Sequence, residues 1–372
     1  MIKILFFIEN LSGGGAEKVL CNLVNAMDQS KFDITVQTLW KADAEKHLKS
    51  GIRYRYCYAK RSQMNRLRSR AEAALGLTYP LHIKDEYDIE VAYLEFGSTK
   101  IVSRSTNKKA KRIAWVHSDL AQKLNSKPDT LRKAAKQYDA FDRIVCVSQT
   151  ARDSFTHLFG RKKDTFVLYN TIDEEAIREK AKLDPAVPFS KRRLTMAAAG
   201  RLSEEKRYDM LLRVHKRLLD EGLLQDLWII GEGDQRGKLE EYITKNHLSD
   251  SVKLFGFQSN PYPYLNAADL LVCASRYEGL STFVTEGLIL GKPIVTTECS
   301  GMRELLGESK FGLIVENTEP ALFIGLQRLL KDAELRNQYA GNALLRGTDF
   351  SSGKLAKETE QFFIDLLKDQ NT

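Results

Sequence analysis

The chain lacks the features that would cross-link it, cage a metal or carry it through a bilayer. Its five cysteines (Cys21, Cys57, Cys146, Cys273, Cys299) are scattered, odd in number and form no Cys-x-x-Cys pair. Neither a disulfide framework nor a structural zinc site is signalled, and the thiols read as core residues in a reducing compartment. Only 8 of 372 residues are proline, while 43% are hydrophobic and 28% charged, which excludes a mainly disordered, collagen-like or mucin-like chain. No apolar run approaches the ~18–20 residues of a membrane span. The stretch Ile2–Ile8 stops at Glu9 with little basic charge around it, so no signal peptide is expected. There is no Gly-x-x-x-x-Gly-Lys-Ser/Thr, which argues against a P-loop nucleotidase. No short-period repeat or low-complexity segment occurs.

What is present is length, charge asymmetry and a repeating α/β pattern. At roughly 100–200 residues per domain, the length predicts about two domains. The net charge of +8 is uneven: residues 1–185 hold 33 Lys+Arg against 23 Asp+Glu, whereas 186–372 hold 24 against 26. The excess gathers at Arg61, Arg66, Arg68 and Arg70, and again at Arg104, Lys108, Lys109, Lys111 and Arg112. Such asymmetry suggests an anionic partner, with an ordinary solvated face as the alternative.

Short β-rich runs alternate with helical spacing. Strands are expected at Ile2–Ile8, Phe32–Leu39, Ile89–Leu94, Arg112–Val116, Arg143–Val147 and Thr165–Leu168. Two prolines in Asp184–Pro188 mark a linker, after which the series restarts. Strands are then expected at Leu194–Ala199, Leu227–Ile230, Val252–Phe255, Leu270–Cys273, Ile294–Thr297 and Gly312–Val315, and helix from Glu319 onward. A β-α-β series favours parallel sheets with helices on both faces. The expected architecture is therefore two doubly wound Rossmann-like domains facing across a cleft, with domains at 1–185 and 186–350 and a C-terminal helix at 351–372 packing back toward the first.

Candidate sites cluster where strands end. Ser12-Gly13-Gly14-Gly15-Ala16-Glu17 is a glycine-rich turn between strand and helix, open to a phosphate or simply tight. It is not a dinucleotide fingerprint: Lys18 takes the last glycine position, and the second strand ends without the acidic residue that would hold a ribose. In the second half, Gly200-Arg201-Leu202-Ser203-Glu204-Glu205-Lys206 follows a strand, and its two cations match a nucleoside diphosphate without a bridging metal. Taken alone, such a pair is more often surface charge. Gly231 ends another strand, and Gly256-Phe257 ends a third with an aromatic ring that could flank a base. In Glu278–Glu286, Ser281 is a good N-cap, and the amides of Ser281, Thr282 and Phe283 would point at an anion. Glu278 precedes that helix and Glu286 lies a turn inside it.

Together these residues resemble the retaining nucleotide-sugar glycosyltransferases of the GT-B fold, family GT4, the glycosyl transferases group 1 type. The resemblance covers nearly the whole chain, including Gly14, Gly15 and Glu17, the Gly-Arg-Leu…Glu-Lys segment, Gly231-Glu232-Gly233 and Glu278…Glu286. It continues through Gly291-Lys292-Pro293-Ile294-Val295 and Cys299–Glu304. Two departures stand out: Arg207 where members often have Gly, and Gly287 where Ala is more usual.

The resemblance implies roles. Arg201, Lys206 and the amides at Ser281–Phe283 would hold the donor pyrophosphate, and Glu286 the ribose hydroxyls. Gly231, Gly256 and Phe257 would lie on the donor side, the last two near the base, with Gly14 and Gly15 closing over the donor. Glu278 would sit against the donor sugar as a catalytic group. His117, at a strand end, matches the family's N-domain histidine and would contact the donor sugar or the transition state. The implied activity is retaining, metal-independent transfer from a nucleotide-sugar, UDP before GDP, to a saccharide or undecaprenyl-diphosphate-linked acceptor in capsule, exopolysaccharide or O-antigen synthesis. No cofactor or metal is expected, in keeping with the absence of any Asp-x-Asp. The expected location is cytoplasmic, with peripheral docking of the basic half on the anionic inner face of the membrane. No nucleic-acid partner is expected, because the basic clusters lack interleaved aromatics. An epimerase or phosphorylase of the same fold, or a non-catalytic nucleotide-sugar or nucleic-acid binder, are the alternatives.

Overall fold

The computed structural model describes residues 1–11, 14–43, 46–124, 128–189 and 193–368. The chain divides into two units, one of Met1–Ile172 with Ser352–Thr372 and the other of Asp173–Ser351. The division falls ahead of the helix Glu174–Ala181 rather than at the Asp184–Pro188 break. That helix packs on the helices Tyr262–Ala267 and Thr282–Ile289, and Asn260 Nδ2 donates to the Lys180 carbonyl at 2.9 Å.

The first unit is built on seven strands: β1 (Ile2–Ile8), β2 (Phe32–Trp40), β3 (Arg53–Tyr58), β4 (Ile89–Ala92), β5 (Lys111–Val116), β6 (Arg143–Cys146) and β7 (Thr165–Val167). All pair in parallel, in the order β3-β2-β1-β4-β5-β6-β7. β1 is central and buried on both faces, so it reads as a continuous apolar run. β3, Arg-Tyr-Arg-Tyr-Cys-Tyr, is absent from the sequence expectation. It is an edge strand with most side chains wholly or partly exposed, and no apolar run announces it. The helix Ser352–Lys368 belongs to this unit because Phe363 sits edge-on to Phe6 and Phe32, at centroid distances of 6.0 and 6.5 Å.

The second unit has six parallel strands: β8 (Leu194–Ala199), β9 (Gln225–Ile230), β10 (Val252–Gly256), β11 (Leu270–Cys273), β12 (Ile294–Thr297) and β13 (Leu313–Val315), in the order β10-β9-β8-β11-β12-β13. Its core is closed by amphipathic helices. Tyr208–Asp220 buries Met210, Leu211, Leu212, Val214 and Leu218, each burial being worth ~1.5–3 kcal/mol. Gly287 has a packing reason: a Cβ there would lie 2.7 Å from Leu271 Cδ1, so its absence lets the helix Thr282–Ile289 settle on β11.

In both sheets the strand order reverses once, between β1 and β4 and between β8 and β11. In open α/β sheets, the crevice beyond the strand C-termini at such a point is where ligands bind.

Candidate active site

At the switch point of the second unit, β8 runs into Gly200 and the turn Glu204–Lys206, and β11 runs into Ala274–Glu278. The two connections meet at the Lys206–Glu278 ion pair, with Arg276 and Glu204 also paired at 3.9 Å. Lys206 Nζ donates to Glu278 Oε1 at 2.6 Å, and Ser275 Oγ donates to the same oxygen at 2.7 Å. The side chains are 23% and 13% exposed. Burial works against the Lys206 ammonium, but the Glu278 carboxylate hydrogen-bonded to it outweighs that and lifts its pKa above the usual range. The lysine is charged at every physiological pH. Lys206, Cys273, Ser275, Glu278 and Phe283 line one small cavity.

The backbone beneath the pair is tightly set. Gly231 has φ +147, and a Cβ on it would stand 1.9 Å from the Gly200 carbonyl oxygen, so only glycine lets the ends of β8 and β9 approach. Gly231 N donates to the Gly256 carbonyl at 2.9 Å, extending this edge to the end of β10. Arg201 is exposed beyond β8, and Phe257, 63% exposed, stands beyond β10. Ser281 caps the helix Thr282–Ile289 by accepting from Val284 N. Among the described residues, no acceptor takes the amides of Thr282 and Phe283. Glu286 is 7% exposed, and its Oε1 accepts from Tyr262 OH at 3.0 Å.

The structure therefore gathers Lys206, Glu278 and Phe283 around one cavity, and sets Glu286 in the helix that begins beside it. Ser275 and Tyr262 escaped the sequence reading. Their only signals were polar side chains just past strand ends, in Ala274-Ser275 and Asn260-Pro261-Tyr262.

In the first unit, Gly14 is the N-cap of the helix Gly15–Ala26, and its amide donates to Glu17 Oε2 at 2.9 Å. Glu17 thus has a capping role, and it engages one of the amides expected to face a phosphate. Ser12 and Gly13 of that turn lie outside the described residues. His117 follows β5. Its amide donates to Glu95 Oε1 at 2.9 Å, Ser118 Oγ donates to the same oxygen, and its ring packs at a tilt against Tyr93, centroids 4.8 Å apart. Its Nε2 is buried and without a partner. Burial pushes the His117 pKa down to about 4, with Glu95 opposing and Lys123 assisting, so the ring is neutral at pH 7. Glu95, 2% exposed, was also missed.

The second basic cluster is not one surface. Lys111 pairs with Asp142 at 3.8 Å, and Arg112 lies on β5 opposite Glu90 of β4. The first cluster lies on and beside the exposed helix Gln63–Leu75, where Met64, Leu67 and Leu75 are 75%, 62% and 74% exposed. Among the described residues, no group of three or more His, Cys, Asp or Glu side chains is placed to hold a metal, and no helix is long and apolar enough to cross a membrane.

Comparison with known proteins agrees with this layout. The family profile described as Glycosyl transferases group 1 matches residues 179–346, and that of Glycosyltransferase Family 4 matches residues 13–176. A Campylobacter jejuni protein, N-acetylgalactosamine-N,N'-diacetylbacillosaminyl-diphospho-undecaprenol 4-alpha-N-acetylgalactosaminyltransferase, is 34% identical over 200 residues. That match spans 53% of this chain and 53% of the relative, so about half of either protein. The amylovoran biosynthesis glycosyltransferase AmsD of Erwinia amylovora is 22% identical over 96% of this chain and 98% of its own. Among solved structures, Anabaena HepE in complex with UDP and glucose superposes with a TM-score of 0.77 at 17% identity, covering 98% of this chain and 100% of HepE.

Proposed function

Because the chain belongs to the GT-B-fold glycosyltransferases of the group 1 and family 4 type, we propose that it is a retaining, metal-independent transferase. It moves a sugar from a UDP-sugar to a saccharide carried on undecaprenyl diphosphate, in the synthesis of a bacterial surface polysaccharide. The observation that carries this reading is the Lys206–Glu278 pair at the β8/β11 switch point, beside a helix capped by Ser281 whose Thr282 and Phe283 amides find no acceptor among the described residues. The named activity of the Campylobacter relative and the UDP and glucose bound by HepE support the lipid-linked acceptor and the UDP donor.

In this reading Lys206, Arg201 and the amides of Ser281, Thr282 and Phe283 hold the pyrophosphate. As the anomeric C–O bond breaks, negative charge grows on the leaving oxygen, and these fixed donors stabilise it more than the ground state. The acceptor hydroxyl attacks from the face the leaving group vacates, and its proton passes to the departing phosphate. Glu286 and Tyr262 hold the ribose. Glu278 orients the donor sugar and faces the positive charge that develops at the anomeric carbon. His117 serves the reacting sugar as a neutral hydrogen-bonding group, not a cation.

The lipid-linked acceptor gives the exposed helix Gln63–Leu75 a role. Met64, Leu67 and Leu75 enter the interfacial layer, while Arg61, Arg66 and Arg70 meet anionic headgroups at about 1 kcal/mol per well-placed charge. Flotation with anionic and neutral liposomes separates this from a merely solvated face, for which binding would not differ between the two.

The donor assignment is tested by thermal shift against a panel of UDP- and GDP-sugars. A bound donor at 100 times its Kd adds about 2.7 kcal/mol of stability, and Lys206→Met should cut the shift by about half or more. No shift with any member of the panel, or an undiminished shift in Lys206→Met, would sink the reading.

A further inference from the structure

The Lys206–Glu278 pair is carried by two loops, and a side chain from a third grips both. Asn317 lies just past β13, at the edge of the second sheet. Its Nδ2 shares its hydrogens among the carbonyls of Glu298, Ser275 and Arg276, at 3.1, 3.2 and 3.3 Å. Glu298 directly follows β12, and Ser275 and Arg276 follow β11. The Oδ1 of Asn317 accepts from Arg207 Nη1. One side chain thus ties the C-terminal ends of β11, β12 and β13 to the loop past β8. Its neighbours dictate the orientation. Backbone carbonyls only accept and a guanidinium only donates, so an amide satisfies both at once and a carboxylate cannot.

Each grip reaches one half of the pair. The Ser275 carbonyl is engaged by Asn317 and also by Thr297 Oγ1, at 2.9 Å, while Ser275 Oγ donates to Glu278 Oε1 at 2.7 Å. Arg207 directly follows Lys206 and is the N-cap of the helix Tyr208–Asp220, with φ +53. That left-handed conformation favours glycine, and any other residue holds it at a cost. The bond from the Arg207 guanidinium to Asn317 offsets that cost and fixes the turn that presents Lys206. A backbone bond from Arg276 N to the Glu205 carbonyl, at 2.8 Å, closes the two loops on each other.

We propose that Asn317 and Arg207 are positioning residues of the donor site. Asn317 sets Glu278 through the Ser275 loop, and its bond to Arg207 sets Lys206. The clamp matters most once the donor is bound. A diphosphate competes with Glu278 for the Lys206 ammonium, and as it draws the ammonium away the carboxylate loses its strongest partner. The grip on Ser275 then keeps Glu278 aimed at the sugar. This rests on the transferase reading above, and the test keeps the two apart.

The full chain and its variants are titrated calorimetrically with UDP and assayed for transfer from a UDP-sugar to a glycoside acceptor, well below each Tm. Asn317→Asp keeps an acceptor for Arg207 but sets oxygen against the same carbonyls, so it breaks only the Glu278 half. It should lower kcat about tenfold or more, because small misplacements of reacting groups are costly, with the Kd for UDP unchanged. Arg207→Ala keeps the strained φ and loses the bond. It should raise the Kd for UDP about threefold or more, a part of the loss expected on removing Lys206. Arg207→Gly loses the same charge but takes φ +53 without strain, so it should recover most of that affinity. A merely structural role would lower Tm and leave kcat and Kd at their wild-type values. That result would overturn the proposal, as would equal UDP affinities in Arg207→Ala and Arg207→Gly. A wild type that neither binds UDP nor transfers would sink the donor reading instead. The clamp is then read from stability: the coupling of Lys206 and Glu278 in urea melts should fall by about half or more in the Asn317→Asp background, and an unchanged coupling would overturn it.

Discussion

Replacing Lys206 and Glu278 singly and together tests whether one ion pair both holds the second unit's switch point and serves the donor. Nζ and Oε1 are 2.6 Å apart, and the side chains are 23% and 13% exposed. Lys206→Met leaves a mostly buried carboxylate with Ser275 Oγ as its near partner. Breaking a buried pair from one side costs about 3–5 kcal/mol, and because both groups keep some water the lower figure, about 3 kcal/mol, applies. Glu278→Gln keeps an oxygen for both donors and loses only charge, a cost of about 1–2 kcal/mol. The double variant should fall short of the sum by about 1–3 kcal/mol, the coupling of contacting residues. Donor binding splits the pair differently. Lys206→Met removes a charge-assisted bond of about 1.5–3 kcal/mol to the diphosphate, which is roughly 10–150-fold in the Kd for UDP. Glu278→Gln removes the carboxylate that competes for Lys206, so UDP should bind as tightly or more tightly while transfer collapses. Urea unfolding followed through Trp228, which lies on β9, and calorimetric titration with UDP read both effects. Additive stability costs, or a loss of UDP affinity in Glu278→Gln as large as in Lys206→Met, would refute the reasoning.

Three further outcomes are expected. His117→Asn should lower kcat with the Kd for UDP unchanged. Because the ring titrates at about 4, the wild-type rate should show no inflection from His117 between pH 5 and 8, and a His117-dependent inflection there would contradict its neutral role. His215 is fully buried against Ser251 Oγ at 2.9 Å, and burial, aided by Arg193, depresses its pKa to about 4. As pH falls from about 6.5 to 4, the unfolded chain takes up a proton that the folded chain refuses, so stability is lost across that window, by about 3 kcal/mol in all. His215→Gln should flatten that slope in urea melts. Gly231→Ala should cost about 2 kcal/mol or more and weaken UDP binding, whereas Gly237→Ala, whose added Cβ meets nothing within 4 Å, should be neutral or stabilising in the same melts.

Most strands were legible because central parallel strands are buried on both faces and leave runs such as Ile2–Ile8 and Leu270–Cys273. β3 was not, since an edge strand of alternating Arg and Tyr carries no such run. Prolines mark a linker at Asp184–Pro188, but the helix Glu174–Ala181 goes with its packing partners Tyr262–Ala267 and Thr282–Ile289, far along the chain. At the candidate site, residue types were legible and partnerships were not. Lys206 and Glu278 could each be assigned to the donor, yet their contact depends on β8 and β11 being neighbours. Glu95, Ser275 and Tyr262 are single polar residues past strand ends, and only the fold reveals their partners His117, Glu278 and Glu286.

The central claim is retaining sugar transfer driven by the Lys206–Glu278 site. Its most direct test is the anomeric configuration of the product, read from proton coupling by NMR, after reaction of an α-linked UDP-sugar with a glycoside acceptor. The account predicts an α-linked product from wild type and none from Glu278→Gln. A β-linked product, or full turnover by that variant, would contradict it.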